Sequence, residues 1–239
     1  MFIVNREEAV LREFNLYPLW QRRGEIISMP APVQAAEVIE ARVEIAPNKN
    51  REQIIGELDW PELKTMVRDC TACKLRAGCT QTVCGVGDEK ASWLFVGEGP
   101  GADEDAQGEP FVGQAGKLLD NMLMAIKLKR GKDVYIGNIV KCRPPGNRTP
   151  EADEIATCLP WLQRQIELIQ PKIIVALGKT AATALLGKDA TLASLRGRLH
   201  DYHGIPLIIT YHPAYLLRTP TDKAKAWQDL CLAVKTREG

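Results

Sequence analysis

The chain has 239 residues, 45% of them hydrophobic, and a formal net charge of +1. That length suits one sizeable α/β domain with an appendage, or two small domains. Near-neutrality excludes a polycation, so any nucleic-acid contact has to come from a local patch. There is no run of about 18 uninterrupted apolar residues, and the N-terminus MFIVNREEAVLREF lacks the basic and long apolar regions of a secretory signal. The expectation is a cytoplasmic protein with no membrane partner. Seven cysteines are an odd number, and in a reducing compartment they point to metal ligation before disulfides.

Residues 1–60 differ from the rest. They hold a short helical stretch over 7–14, the aromatic residues Tyr17 and Trp20, and a run rich in Pro, Ala and Glu over 30–47. This reads as an N-terminal arm and linker of unknown function, free to engage an unidentified partner. Residues 61–239 read as the main domain. The run 92–97 (SWLFVG) is a short apolar strand ending in glycine, and 114–128 carries Leu118, Leu119, Met122, Leu123 and Ile126 at helical spacing. A second strand covers 134–140. A helix over 151–169 has Thr149 as N-cap and Pro150 in its first turn, with Pro160 expected to kink or split it. A third strand over 172–177, a helix over 180–186, a fourth strand over 207–211 and a closing helix over 221–234 complete the domain. The alternation predicts a three-layer α/β/α sandwich around a four-stranded, mainly parallel sheet. Ligands of such sheets bind beyond the carboxyl ends of the strands. That rule selects the loops after Gly97, Val140, Leu177 and Tyr211.

Two ligand sets compete among the cysteines. A local set of Cys70, Cys73, Cys79 and Cys84 would make a zinc knuckle. A dispersed set of Cys70, Cys73, Cys142 and Cys158 would hold an iron–sulfur cluster on four thiolates. Spacing leaves both open. The loop 97–113, GEGPGADEDAQGEPFVG, is glycine-rich after a strand, which is phosphate-loop geometry. It nevertheless carries five carboxylates between Glu98 and Glu109 and no Lys or Arg. A polyphosphate would be repelled, and the G-K-T at 178–180 lacks the upstream glycine of a Walker motif. Carboxylates in a cleft suit a cationic transition state such as the oxocarbenium-like sugar of glycosyl transfer. One or two of Asp103, Glu104, Asp105 and Glu109 are expected to function, the others being solvated or helix-capping.

All three histidines fall between His200 and His212. His212 ends a strand and begins HPAYLLR, where an imidazole can donate a hydrogen bond to a developing anion; His200 and His203 read as surface residues. Tyr215, Leu216 and Leu217 beside Arg218 suit a wedge inserted into a base stack. Residues 191–227 hold five Lys/Arg (Arg196, Arg198, Arg218, Lys223, Lys225) against Asp201 and Asp222, a local net of +3 that suits a DNA backbone.

Together, GEGPGADEDAQGEPFVGQAG, NIVKCRPPGNRTP and YHPAYLLR resemble family 4 uracil-DNA glycosylases, the iron–sulfur group, over about residues 67–235. The resemblance implies hydrolysis of the deoxyuridine N-glycosidic bond in base excision repair, by a monomer acting on uracil-containing DNA. It implies a [4Fe-4S] cluster on Cys70, Cys73, Cys142 and Cys158, leaving Cys79, Cys84 and Cys231 spare. It also implies a uracil pocket lined by Glu98 and Gly99, with Glu104 near the sugar or the attacking water and Phe111 stacked on the flipped base. Asn138 would read the uracil edge and His212 would stabilise charge on O2, making Glu104, Asn138 and His212 the catalytic set. Tyr215, Leu216, Leu217 and Arg218 would contact DNA. A sister group that bonds covalently to the abasic sugar carries a basic, histidine-containing insertion after this second motif. Here Cys142 runs straight into RPPGNRTP, which favours hydrolysis. A similar segment also occurs in a phage-type DNA polymerase, but paired polymerase carboxylates are missing here. The competing expectations are a non-catalytic DNA-binding protein of the same fold and a zinc-knuckle module.

Overall fold

The computed structural model describes residues 50–238. The expected helix over 7–14, Tyr17, Trp20 and the run over 30–47 lie outside the described residues. All the described residues belong to one compact unit. Its first helices are α1 (Arg51–Glu57) and α2 (Trp60–Arg68). Each opens on a reciprocal cap, Asn50 with Gln53 and Asp59 with Glu62, which satisfies two backbone N–H groups that a helix start leaves free. Ile55 and Leu58 are buried in the core, so the globular domain takes in part of the segment read as linker.

The sheet has six strands in the order β1-β3-β2-β4-β6-β5: β1 Val86–Gly87, β2 Trp93–Gly97, β3 Val134–Asn138, β4 Ile173–Leu177, β5 Leu199–Tyr202 and β6 Ile205–Thr210. The four strands expected from the apolar runs, β2, β3, β4 and β6, form the parallel centre. Two short antiparallel edge strands are added to them, β1 on β3 and β5 on β6. The expected four-stranded sheet is therefore the core of a six-stranded one. β1 has two half-buried residues and β5 runs LHDY, so neither presents an apolar run to recognise.

Burial on both faces gives three layers. Along β2, Leu94 and Val96 enter one core while Trp93 and Phe95 enter the other, as alternation along a strand requires. The remaining helices are α3 (Ala102–Gln107), α4 (Gln114–Ala125), α5 (Ala152–Ile169), α6 (Lys179–Leu186), α7 (Leu192–Leu195), α8 (Pro213–Arg218) and α9 (Lys223–Glu238). α1, α2, α5 and α6 cover the first face through Ile55, Leu63, Leu162 and Ala181. α4 and α9 cover the second through Leu119, Leu123, Leu230 and Ala233. Among the described residues, no helix is long and apolar enough to cross a membrane.

α5 departs from expectation in two details. Its N-cap is Glu151, paired with Glu154 in a capping box, rather than Thr149. Pro160 sits inside one continuous helix without splitting it. Arg51 donates to the Thr157 carbonyl at 2.8 Å and lies 5.0 Å over the Trp161 ring, so α1 clamps this stretch from outside.

The chain passes from β2 to β3 on one side, then crosses to β4 on the other. That reversal opens a crevice at the carboxyl end of β2. Replacing Ile55 by Ala is expected to lower unfolding free energy by about 2–5 kcal/mol, read from the urea midpoint. An unchanged midpoint would mean that α1 is not integral to the domain.

Candidate active site

Residues following β2, β3, β4 and β6 line one cleft of about 890 Å³. Every sequence-predicted pocket residue lines it: Glu98, Gly99, Glu104, Phe111, Asn138 and His212. Asn138, the last residue of β3, pairs in register with Gly97, the last of β2. Its side chain is buried and its Oδ1 has no hydrogen-bond partner. A buried acceptor left open costs about 1–3 kcal/mol, an expense retained where a ligand supplies the donor. Gly97 makes this arrangement possible. A Cβ there would lie 2.5 Å from Asn138 Oδ1 and 2.6 Å from Cζ of Phe111, closer than non-bonded atoms approach.

Phe111 closes the other side. Its φ of +56° is unfavourable for a residue with a Cβ, by about 1–3 kcal/mol, so neighbours must hold it. Glu104 Oε1 accepts from the amides of Val112 and Gly113 at 3.0 and 3.2 Å, and its Oε2 accepts from Gly101 at 3.0 Å. Arg130 donates to the Pro110 and Phe111 carbonyls, both at 2.8 Å, and pairs with Asp120 at 3.0 Å. Gly116 lets α4 approach, since a Cβ there would fall 1.7 Å from the Phe111 carbonyl oxygen. Glu104 thus lines the cleft, but its carboxylate is occupied by three backbone amides. These bonds also let it shape the loop that carries Phe111. Asp105 is buried and accepts from the Thr80 amide at 2.9 Å, while Asp103 and Glu109 are exposed.

Glu98 also lines the cleft, and its Oε2 accepts a hydrogen bond from the Thr180 hydroxyl. The G-K-T stretch is a tight turn, with Gly178 at φ +94°. Lys179 lines the cleft rim and pairs with Asp189 at 3.0 Å. His212 caps α8: its Nδ1 accepts from the Ala214 amide at 3.2 Å, which leaves the neutral ring's proton on Nε2. Its ring stacks on Phe111 with centroids 5.5 Å apart. Burial, aided by the cation of Arg218 and opposed by Glu104, lowers its pKa to about 4.

The α8 loop splits in two. Tyr215 and Arg218 line the cleft, and Leu217 is 44% exposed. Leu216 is 1% exposed and packs inward, so the expected four-residue wedge loses one member, as helical periodicity turns neighbouring side chains apart. The local charge also shrinks, because Arg196 binds Asp229, buried and outside that stretch, through two nitrogens at 2.9 and 3.0 Å; the Lys225–Asp222 pair at 2.8 Å is already within the net of +3. His200 meets the Leu195 carbonyl at 2.6 Å, and His203 is exposed, consistent with surface roles.

The profile of the Uracil DNA glycosylase superfamily matches residues 84–231. The chain belongs to the uracil-DNA glycosylase superfamily, in its type-4 branch. It is 47% identical over 161 residues to the type-4 uracil-DNA glycosylase of Thermotoga maritima, covering 66% of this chain and 83% of that protein. Identity to the type-4 enzyme of Pyrobaculum aerophilum is 41% over 185 residues, 73% of this chain and 93% of that protein. The type-5 enzyme of the same organism is 33% identical over 146 residues, 54% and 64% of the two chains. The span matched to the superfamily profile takes in Glu98, Phe111, Asn138, Cys142, Cys158 and His212, while Cys70 and Cys73 precede it.

In this superfamily member, Cys70, Cys73, Cys142 and Cys158 line one small recess with Val67, Leu75 and Trp161. Cys79 and Cys84 do not line it. The Lys141 amide donates to Cys158 Sγ at 3.2 Å. Lys74 reaches Glu151 and lies 3.6 Å from Asp153, tying the Cys70–Cys73 loop to the start of α5. Among the described residues, no group of three or more His, Cys, Asp or Glu is placed to hold a metal ion.

Sequence reasoning missed Arg130 and Thr180. Arg130 stands in a basic run (KLKRGK) that gives no sign of a buried partner. Thr180 follows the third selected strand end, so its place in the loop was a usable signal. Titration of His212 by NMR should show no proton uptake near 6.5 and a midpoint near about 4. Because the folded pKa is the lower one, the unfolded chain binds the extra proton between those values. This group's contribution to stability is therefore full above 6.5 and lost as pH falls towards 4. A midpoint at 6.5 would overturn the neutral-donor assignment.

Proposed function

We propose that this chain is a monofunctional uracil-DNA glycosylase of base excision repair, which hydrolyses the N-glycosidic bond of deoxyuridine in DNA to free uracil and an abasic site. The observation that carries the reading is the orphaned Oδ1 of Asn138 at the floor of a cleft walled by Phe111 and His212. A flipped uracil offers N3–H to that oxygen and O4 to the amide nitrogen of the same side chain. Cytosine turns a lone pair towards Oδ1 instead, leaving both acceptors unpaired. Phe111 supplies the stacking face.

Bond breaking places negative charge on uracil O2 and positive charge on the sugar. The neutral His212, with its proton on Nε2, donates to O2 as charge grows, without first giving up a proton. Glu104 is engaged by the backbone, so Glu98 is the group for the water. Thr180 orients one of its oxygens, and the other accepts a water proton while the anionic carboxylate favours the sugar cation. Lys179 stands at the exposed rim, paired with Asp189, and no lysine is assigned a Schiff-base role. Arg218, Leu217 and Tyr215 are the groups offered to the DNA.

The four-cysteine recess suits the iron–sulfur cluster of this family. Four thiols line one apolar recess, and an amide N–H is directed at one sulfur. Burial pushes the Cys158 thiol up to about 11 and Cys142 up as well, so the thiolates that a cluster needs would be stabilised by the iron itself. Cys70, Cys73, Cys142 and Cys158 would hold it. When bound, it would cross-link the N-terminal helices to the strand exit. A cytoplasmic setting fits seven cysteines that are all free of disulfides. The substrate partner is uracil-containing DNA, bound by a monomer.

The test is incubation with a single-uracil oligonucleotide, then alkali and a denaturing gel. An alkali-labile band is expected. A denaturant-resistant protein–DNA band would replace hydrolysis by covalent capture, and absence of both from iron-loaded protein would leave only binding. Glu98→Gln is expected to lower kcat about 10²–10⁴-fold, with KM little changed. Equal loss in Glu104→Gln at unchanged KM and unchanged NMR signals of the Phe111 ring would move the water to Glu104.

A further inference from the structure

Lys141 has no part in the chemistry above, yet it is 2% exposed. A lysine is almost never buried so fully unless its nitrogen is engaged. Here Nζ donates to the main-chain carbonyl of Asn138 at 2.9 Å and to Gln165 Oε1 at 2.7 Å. Gln165 is itself fixed: its Nε2 donates to the Cys84 carbonyl at 2.8 Å and lies 3.3 Å from the Tyr135 hydroxyl. The paired register of β3 with β2 ends at Asn138, the next main-chain bonds run from the Ile139 and Val140 amides to Gly97 and Glu98, and the Asn138 carbonyl is held by a side chain three residues on. The Lys141 amide meanwhile donates to Cys158.

An apolar side chain of the same length would fill this space at lower desolvation cost. What it would lack is the bond to Asn138. We propose that Lys141 is a positioning residue for base selection: braced by Gln165, its Nζ pins the Asn138 carbonyl and thereby fixes the side-chain amide against the uracil edge. The inference rests on the uracil-reading role of Asn138 proposed above. It adds a residue that acts through Asn138 and touches neither the base nor the sugar.

A double-mutant cycle tests it, with variants compared at equal iron content on uracil, cytosine and abasic-site oligonucleotides. Lys141→Met is expected to lower kcat/KM on uracil DNA about tenfold to a hundredfold, the loss of one buried hydrogen bond. Affinity for abasic-site DNA, which has no base to read, should be unchanged, and the preference for uracil over cytosine should fall. In the Asn138→Ala background the carbonyl remains but the side chain it positions is gone. There Lys141→Met should change kcat/KM by less than about twofold. Gln165→Leu should lose activity in the same direction as Lys141→Met, and Gln165→Glu, which keeps an oxygen for Nζ, should regain part of it. Should Lys141→Met not fold, Gln165→Leu carries the same cycle. Additive losses, or equal losses of abasic-site affinity, would overturn the proposal and make Lys141 a packing residue. Wild-type protein that releases no uracil would instead remove the reading beneath it.

Discussion

A Cβ on Gly97 would lie 2.5 Å from Asn138 Oδ1 and 2.6 Å from the ring of Phe111, and the site is organised around that missing atom. Gly97 is the last residue of the strand at which the sheet connections reverse. Asn138 lies opposite it in register, so the parallel pairing of β2 with β3 sets the height of the amide. Phe111 then comes back over the same glycine on a loop that must turn through a left-handed residue to reach it. The sheet supplies two of the three contacts through backbone geometry alone. The third has to be held by side chains.

That holding explains how the acidic loop divides its work. Five carboxylates in twelve residues look alike in sequence, but their neighbours separate them. Glu104 meets three backbone amides and keeps Phe111 in a strained conformation. Asp105 meets the Thr80 amide and anchors the chain leading towards β1. Glu98 receives one hydroxyl proton and keeps the rest of its capacity open to the cleft. A carboxylate that satisfies backbone N–H groups is a scaffold, because each such bond ties up a lone pair that a water would need. Position along a loop does not reveal this; the count of amides facing each oxygen does.

The same distinction marks how far the sequence could be read. Apolar runs located the four parallel strands, because doubly buried strands must be apolar throughout. The strand-end rule then chose the loops that form the cleft. Edge strands β1 and β5 were invisible since they are short and half-buried or polar. Leu216 and Arg196 were misplaced for a common reason. Both belong to segments whose composition suits DNA, but helix phase turns Leu216 inward, and Arg196 is claimed by Asp229 from a helix that is distant in sequence. Composition reports what a segment offers and cannot report which long-range partner takes it. Arg130 and Lys141 escaped on that ground too, each being a common surface type drawn inside by a carbonyl.

Asn138 and Cys142 are four residues apart on one strand exit, and the wall of the base pocket and the wall of the cysteine recess are therefore one piece of chain. Along it, Lys141 directs its side chain to Asn138 and its amide to Cys158. Val140 bonds back to Glu98, and Ile139 to Gly97. Movement of Cys142 would be transmitted to the amide through no more than four peptide units, which are held by bonds to Gly97, Glu98, Cys158 and Val83. The opposite wall of the recess comes from the Cys70–Cys73 loop, which Lys74 fastens to α5. A group bound by these four thiols needs no step in the reaction to affect it. By joining the N-terminal helices to the strand exit, it would limit how far Asn138 can shift, and discrimination between uracil and cytosine depends on a hydrogen-bond pattern that a shift of about 1 Å is enough to spoil.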